Sequence, residues 1–214
     1  RTNAIWNKEI TFNCEKFPYL AFNKNNNTVA VVDQHFFYTY SLKYHQLQKK
    51  EVKMGFSYPR YANQMIYNSS DLSYYAYNLV KEEDGREFVA FDTIKSAWGY
   101  TTPHNHFSDY WHHNKYFSVK NSRLYVIGGY GHHKYKEGVF VYDLKSKIWS
   151  KQSFSGDTIE PRYLSGLGEI SENKLLLFGG YGSKTGNQEI SPQHYYDAFI
   201  IDIDSMKVKK IWTL

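Results

Sequence analysis

The hydrophobic residues of this chain fall in short apolar runs that end in glycine or polar residues. The clearest run, residues 173–182, reads Asn-Lys-Leu-Leu-Leu-Phe-Gly-Gly-Tyr-Gly, so that four large apolar residues are closed by two glycines. A run of this length bounded by turn residues is typical of a buried β-strand. No window shows sustained helical periodicity, and Pro and Gly interrupt most long runs. The pattern therefore predicts an all-β chain.

The same run occurs twice. Residues 121–131 read Asn-Ser-Arg-Leu-Tyr-Val-Ile-Gly-Gly-Tyr-Gly and align without a gap with residues 172–182, at a spacing of 51 residues. A second marker, Pro161-Arg162-Tyr163, precedes the later run and also stands at residues 59–61. Asp92 and Asp143 are one spacing apart, while Asp202 follows at 59 because eight extra residues come after the later diglycine. Self-similarity at a fixed period indicates a repeat architecture.

These elements resemble the kelch repeat. In the best-matching stretch a diglycine closes a strand, Tyr142-Asp143 follows about 14 residues on, and Trp149 stands six residues after the aspartate. The resemblance implies a β-propeller whose blades are four-stranded antiparallel sheets. It also implies about four repeats in one domain or fragment, residues 1–214, at roughly 7–53, 54–103, 104–155 and 156–214. In such a fold the glycines let neighbouring backbones approach closely, and the tryptophan fills the wedge between blades, so Trp98 and Trp149 should be largely buried. On one side of the strands we expect buried Leu124, Val126, Leu175 and Leu177, and on the other side, packed between blades, Tyr125, Ile127, Leu176 and Phe178.

The start of the chain looks like part of a repeat. Ile5-Trp6 resembles Ile148-Trp149, and Ile211-Trp212 stands 206 residues further on, close to four spacings. We therefore expect residues 1–12 to form an outermost strand and the chain to be part of a larger propeller. The expected partners include the missing blades or another part of the same protein, since an open arc would expose apolar blade faces. The alternative is a closed ring of four blades.

Composition narrows the function classes. The net charge is +5 and no run of four basic residues occurs, so a nucleic-acid partner is not indicated. The mean hydropathy is −0.63, and the chain has no apolar run near 18 residues, which predicts no membrane span within this sequence. The single cysteine, Cys14, cannot form an internal disulfide and leaves the compartment unknown.

The propeller topology gathers certain loops at one end of the blades. These are the loop that enters the first strand of each blade and the loop between its second and third strands, and they carry seven of the nine histidines. Rigid sheets that present variable loops are a common binding scaffold. We expect a protein or carbohydrate ligand to be bound by His104, His106, Tyr110, Trp111, His132, His133, Tyr135, His194 and Tyr195. The structural alternative is that these aromatic residues only cover loop backbone and strand edges.

Support for catalysis is thin. The pair His132-His133 lacks the spacing of a metal site, and no Ser-His-Asp arrangement or paired carboxylate motif can be placed. We therefore predict no metal, no cofactor and no catalytic residue. The recurring Arg60 and Arg162 suggest a charged side chain tied to a neighbouring blade, and the recurring aspartates suggest turn formers.

The kelch resemblance leaves two functions open. The first is a non-enzymatic binding or sensing module, because residues 180–188 resemble the propeller modules of bacterial regulatory proteins. The second is a carbohydrate-active enzyme, either a sugar oxidase or a sialic acid mutarotase. The oxidase would require a cysteine cross-linked to a tyrosine as well as copper ligands, and Cys14 has no identifiable partner.

Overall fold

The computed structural model describes residues 7–14, 18–53, 64–77, 79, 88–99 and 110–214. In these residues the regular structure is entirely β, as predicted. The strands, in chain order, are β1 (Tyr19–Asn23), β2 (Thr28–Val32), β3 (Phe36–Ser41), β4 (Gln46–Glu51), β5 (Gln64–Asn68), β6 (Ser73–Tyr77), β7 (Phe88–Asp92), β8 (Ala97–Trp98), β9 (Asn114–Ser118), β10 (Arg123–Ile127), β11 (Tyr130–Gly131), β12 (Lys134–Tyr135), β13 (Val139–Asp143), β14 (Ile148–Gln152), β15 (Ser155–Gly156), β16 (Arg162–Tyr163), β17 (Gly166–Ser171), β18 (Lys174–Phe178), β19 (Tyr181–Gly182), β20 (Gln193–His194), β21 (Asp197–Asp202) and β22 (Lys207–Thr213).

Four antiparallel sheets carry the fold, and we call them blades 1 to 4. Blade 1 has the order β1-β2-β3-β4 and blade 2 the order β5-β6-β7-β8. Blade 3 has the order β9-β10-β13-β14, and blade 4 the order β17-β18-β21-β22, with β15 added in parallel at the edge of β22. The predicted four-stranded antiparallel blades are thus confirmed. Two small sheets, β11-β12 and β16-β19-β20, extend the loops that follow the diglycines.

The blades form two compact units. Unit 1 consists of residues 1–77 and 88–101 and contains blades 1 and 2. Its core lies between the two sheets, where Tyr19, Phe37 and Phe91 are buried with Trp98. The Trp98 ring lies 5.6 Å from the Tyr19 ring of blade 1 and 4.9 Å from the Phe91 ring of its own blade, measured between centroids. The prediction that this tryptophan fills the wedge between blades is confirmed.

Unit 2 consists of residues 78–87 and 102–214 and contains blades 3 and 4. Its core joins Tyr125 and Ile127 of β10 to Leu175 and Leu177 of β18. Leu124 and Val126, on the opposite face of β10, are also fully buried. A strand that is covered on both faces must be apolar at every position, which explains the continuous run that the sequence shows.

Two expectations about unit 2 are wrong in part. Phe178 was expected to pack between blades, but 53% of it is exposed on the outer face of blade 4. Trp149 was expected to be largely buried, but it is only partly buried, with its ring 5.0 Å from that of Tyr142. Both side chains lie on sheet faces that point away from the shared core of blades 3 and 4.

The recurring aspartates form turns, as predicted. The Oδ1 atom of Asp92 accepts hydrogen bonds from the backbone N–H groups of Ile94 and Lys95, both at 2.9 Å. Asp143 makes the same pair of bonds to Lys145 and Ser146, both at 3.0 Å. Asp202 keeps one such bond, from the N–H group of Ser205. These side chains satisfy backbone donors in the turn after the third strand of blades 2, 3 and 4.

Residues 7–12 do not form the outermost strand that the sequence predicts for residues 1–12, and residues 1–6 lie outside the described residues. The first described segment is residues 7–14. It lies without regular structure against the outer face of blade 1, where Phe12 packs edge-on against Tyr38. The Glu9 carboxylate accepts a hydrogen bond from the Tyr40 hydroxyl at 2.6 Å and lies 2.6 Å from Nδ1 of His45. These polar contacts to β3 and the following turn hold the segment in place of strand pairing. The described residues contain no helix long and apolar enough to cross a membrane.

Candidate functional site

The loops of unit 2 form a surface made largely of tyrosine. Tyr130 and Tyr135 lie on the small β11-β12 hairpin of blade 3, while Tyr163 and Tyr181 lie in the β16-β19-β20 sheet of blade 4. The Tyr163 ring is 5.5 Å from that of Tyr130 and 5.7 Å from that of Tyr135, with which it stacks. The Tyr181 ring meets that of Tyr135 edge-on at 5.9 Å. We call these four residues the tyrosine cluster.

Histidine and tryptophan side chains flank the tyrosine cluster. The Trp111 ring lies 6.2 Å from that of Tyr130, the His112 ring lies 6.0 Å from that of Tyr163, and the His194 ring lies 4.9 Å from that of Tyr181. Backbone hydrogen bonds in both directions tie Trp111 to Tyr130. The surface is therefore assembled from four separate segments, those around residues 111, 130–135, 161–163 and 181–194.

Glycines in the loops that follow β10 and β18 make this assembly possible. Gly128 has a φ of +65°, and a Cβ atom there would lie 2.7 Å from the carbonyl oxygen of Arg162. The approach at Gly182 is even closer, since a Cβ atom there would lie 2.0 Å from the carbonyl oxygen of Pro161. Only glycine permits such an approach. The backbone of the Pro-Arg-Tyr segment thus runs directly against both glycine-rich loops and brings Tyr163 between Tyr130 and Tyr181.

The buried Arg162 side chain ties together the loops of blade 4 that carry part of the tyrosine cluster. Its guanidinium is buried and binds the Asp197 carboxylate through two hydrogen bonds, of 2.5 and 3.1 Å. It also donates to the carbonyl oxygens of Glu160 and Gly179, at 2.9 and 3.2 Å. The Tyr195 ring lies over it, 3.9 Å from the guanidinium carbon. The structural role predicted for Arg162 is confirmed, but its charged partner belongs to the same blade and not to a neighbouring one.

The predicted site residues divide into several groups. His104 and His106 lie outside the described residues. Tyr135 belongs to the tyrosine cluster, while Trp111 and His194 flank it. Tyr195 lies on the Arg162 guanidinium.

Tyr110 is buried beside Phe140, with ring centroids 5.1 Å apart, and burial raises the pKa of its hydroxyl to about 12. The neighbouring His113 donates through Nδ1 to the Tyr110 carbonyl oxygen at 2.8 Å. Burial lowers the pKa of the His113 imidazole to about 4, so this ring is neutral at physiological pH. These two residues support the loop from its inner side.

The histidine pair lies at the tip of the hairpin. His132 and His133 are exposed and have φ values of +50° and +60°, in the left-handed region. The His133 Nδ1 atom lies 3.0 Å from the Gln188 side-chain nitrogen, and Gln188 also accepts a hydrogen bond from the Tyr130 hydroxyl. Gln188 therefore links the histidine hairpin to the tyrosine cluster.

Three members of the tyrosine cluster were not among the predicted site residues. The sequence does mark these tyrosines by their position, since Tyr130 and Tyr181 follow the two diglycines at equivalent positions and Tyr163 closes the Pro-Arg-Tyr marker. Their recurrence suggested a structural role. The spacing along the chain did not reveal that all three rings converge on Tyr135.

A cavity of about 240 Å³ opens between blades 3 and 4, next to Arg162. Its inner wall is apolar, with Ile127, Leu177 and Val208. Its rim carries both signs of charge, with Lys136 and Lys151 facing Glu137 and Glu160. In the part of the chain that the structure describes, no three His, Cys, Asp or Glu side chains are grouped as a metal site would require.

Comparison with known proteins agrees with this architecture. The Kelch motif matches residues 118–153, which span blade 3 from the end of β9 to just beyond β14. The solved structure of YjhT superposes with a TM-score of 0.66 at 14% identity, over 93% of this chain and 66% of that chain. The chain thus spans about two thirds of the length of YjhT, and at this identity the likeness shows the fold alone. No curated protein sequence matches. Residues 118–153 thus match the Kelch motif, and the four-stranded antiparallel blades are those of the kelch-type β-propeller fold.

Proposed function

We propose that the protein is a non-enzymatic binding module and that the tyrosine cluster and its flanks bind a carbohydrate. The observation that carries this proposal is the convergence of Tyr130, Tyr135, Tyr163 and Tyr181 on one loop surface. Tyr130, Tyr163 and Tyr181 are each partly buried and partly accessible. Aromatic faces stack on the C–H faces of sugar rings, and the phenol groups offer hydrogen bonds at the ring edges.

The chemistry around the cluster supports a polar, uncharged ligand. Its neighbours are the neutral amide of Gln188 and the exposed rings of His112, His132, His133 and His194. The Arg162 guanidinium is paired with the Asp197 carboxylate, and both groups are buried. A ligand at this surface would therefore meet aromatic faces together with amide, imidazole and phenol hydrogen-bonding groups, which is the usual complement of a saccharide.

The rigidity of the surface also favours binding. The Arg162–Asp197 pair, the backbone bond from Gly129 to Arg162 and the paired backbone bonds between Trp111 and Tyr130 fix these segments before any ligand arrives. Preorganised loops lose less conformational entropy on binding than mobile ones. A sensing role would follow if binding at these loops changed the contacts that blade 4 makes with other parts of the protein.

A protein ligand is the second candidate. Tyrosine and tryptophan are enriched at protein interfaces because they combine a large contact area with polar atoms. A protein ligand would cover the same tyrosine cluster together with the exposed His132 and Tyr196 at its margin.

A screen of the purified chain against a glycan array, followed by calorimetric titration of the best saccharide, tests the proposal. We expect Tyr163→Ala to weaken binding by about tenfold or more, equivalent to ~1.4 kcal/mol, and Tyr163→Phe to keep most of it because the stacking face remains. Ile148→Ala, at an exposed position on β14, is the matched control and should bind normally. Absence of any glycan ligand together with capture of a protein at the cluster would favour the second candidate. Chemical turnover of a sugar would show that the protein is an enzyme and would contradict the proposed non-enzymatic function.

We also propose that a further blade covers the outer face of blade 4. The repeat makes Tyr125 and Ile127 equivalent to Leu176 and Phe178. In blade 3 that face is buried against blade 4, with 2% and 3% exposure, whereas Phe178 is 53% and Trp212 is 52% exposed. Large exposed apolar faces mark interaction sites. Light scattering of the 214 residues tests this proposal. We expect the wild-type chain to self-associate through the exposed face, and Phe178→Asp to suppress that association. A wild-type chain that is monomeric at high concentration would contradict the proposal.

A further inference from the structure

A cleft of about 430 Å³ lies in unit 1 between blades 1 and 2, a volume within the usual range of small-molecule sites. Strand β4 in blade 1 has six residues, all exposed, whereas β8, the corresponding strand of blade 2, has only two. Among the described residues, blade 2 therefore has no outer strand as long as β4. We call the cleft between blades 1 and 2 the polar cleft.

The wall of the polar cleft on blade 1 is a row of uncharged polar side chains. The strand register places Thr39 opposite Gln48, and Ser41 opposite Gln46, so that these four residues lie on the same face of the β3–β4 pair. All four line the cleft. Within the described part of the chain, Thr39, Gln46 and Gln48 make no side-chain hydrogen bond to the protein. Two amides and a hydroxyl thus remain free to bind a ligand.

The inner end of the polar cleft is aromatic. Phe37, Tyr67 and Tyr74 line it, with ring centroids 5.6 Å apart for Phe37 and Tyr74 and 4.9 Å apart for Tyr67 and Tyr74. Burial raises the pKa of the Tyr74 hydroxyl. Tyr44, which is 63% exposed, also borders the cleft. A ligand in the cleft would lie between aromatic faces and the amide row.

The charge of the lining selects among ligands. The described residues around the cleft include no carboxylate and one cation, Lys50. Neutral amides and hydroxyls beside aromatic rings match a molecule with many hydroxyl groups and an apolar C–H face. We propose that the polar cleft is a saccharide-binding site, separate from the tyrosine cluster and on residues of unit 1 alone.

The proposal is independent of the function assigned to unit 2. The cleft is bordered by the β1–β2, β3–β4 and β5–β6 turns, at residues 26, 44 and 72. These turns stand at the strand ends opposite to those that carry the loops between second and third strands. A saccharide at the cleft would therefore be recognised whether or not the loops of unit 2 bind anything.

The test is a calorimetric titration of the whole chain with maltotriose, cellotriose and chitotriose. We expect at least one of the three to bind, and the double variant Gln46→Ala/Gln48→Ala to weaken that binding by about tenfold, because two hydrogen-bonding amides are removed. Glu51→Ala, on the opposite face of the same exposed strand, is the matched control and should leave binding unchanged. Both sites lie on exposed positions, and a thermal melt confirms that the variants remain folded.

Variants in the two units separate the two proposals. Binding that is lost in Gln46→Ala/Gln48→Ala and retained in Tyr163→Ala supports a site in the polar cleft. Binding that is lost in Tyr163→Ala and retained in the double variant places the saccharide at the tyrosine cluster and overturns the polar cleft. No binding of any of the three oligosaccharides at millimolar concentration also overturns it.

Discussion

The backbone N–H group of Gly129 donates a hydrogen bond of 2.8 Å to the carbonyl oxygen of Arg162. One residue belongs to the diglycine that closes β10 in blade 3, and the other to the Pro-Arg-Tyr segment that leads into blade 4. The two sequence markers that identify the repeat are therefore bonded to each other across consecutive repeats. This contact sets the positions of the tyrosines on both sides of it.

Replacement of Gly128 by alanine should disturb that contact. The new Cβ atom would lie 2.7 Å from the Arg162 carbonyl oxygen, in a backbone conformation with φ of +65°. We expect a loss of about 1–3 kcal/mol in the free energy of unfolding, measured by urea denaturation. Gly168→Ala is the control, because a Cβ atom at Gly168 would meet nothing within 4 Å and the residue does not have a positive φ. Equal effects of the two substitutions would contradict the close approach.

The buried Arg162–Asp197 pair should matter more for stability than any exposed pair. Asp197→Ala leaves the Arg162 guanidinium buried without its carboxylate, and such changes cost about 3–5 kcal/mol. The exposed Lys120–Asp204 pair provides the comparison, and Lys120→Ala should cost less than about 1 kcal/mol. Chemical denaturation measures both. A small loss for Asp197→Ala would mean that the loops of unit 2 are held by packing alone.

Trp98 and Trp149 should differ in how much they contribute to the free energy of unfolding. Trp98 is 5% exposed and lies between blades 1 and 2, so Trp98→Ala should cost about 3–5 kcal/mol. Trp149 is only partly buried, and its truncation should cost clearly less. Thermal melts of the two variants give the order, and a larger loss for Trp149 would contradict the packing described for blade 3.

Stability should fall at acid pH in part through Asp143. Hydrogen bonds from the Ser146 N–H group and from Arg123 lower the pKa of its carboxyl to about 2, from an ordinary value of 3.8. A carboxyl with a depressed pKa contributes stability above its unfolded pKa and loses it as the pH falls. The contribution of Asp143 should therefore disappear between about pH 4 and pH 2. Asp143→Asn keeps the turn acceptor but cannot titrate, so its melting temperature should fall less steeply than that of the wild type over this range.

Much of the fold could be predicted because the repeat is visible as spacing. The apolar run before each diglycine indicates a strand that is covered on both sides, and Leu124 and Leu175 are buried as expected. The aspartate turns follow from one residue type at equivalent positions. Phe178 is exposed and not buried as predicted, because the burial of a sheet face depends on whether another blade covers it. The apolar run of β18 would read the same whether that face is covered or exposed.

The site was less predictable. Histidine content directed the prediction to loops that include Trp111, Tyr135 and His194, but the convergence of Tyr163 with Tyr130 and Tyr181 depends on how two consecutive repeats approach each other. The sequence alone does not indicate the polar cleft, because polar residues such as Thr39 and Gln48 are common on any exposed strand. The strand predicted for residues 1–12 is wrong for residues 7–12, because the prediction followed the resemblance of Ile5-Trp6 to Ile148-Trp149 of β14, while the contacts of Glu9 with Tyr40 and His45 are long-range.

The most direct test of the central claim is an NMR titration of the chain with ring-labelled tyrosine, using the best saccharide from the glycan screen. The account predicts that the resonances of Tyr130, Tyr163 and Tyr181 shift in a saturable manner and that Tyr163→Ala abolishes the shifts of the other two. The resonance of Tyr142, packed against Trp149 on blade 3, should not move. Saturable binding that leaves all the resonances of the tyrosine cluster unchanged would contradict the claim that this cluster is the ligand-binding surface.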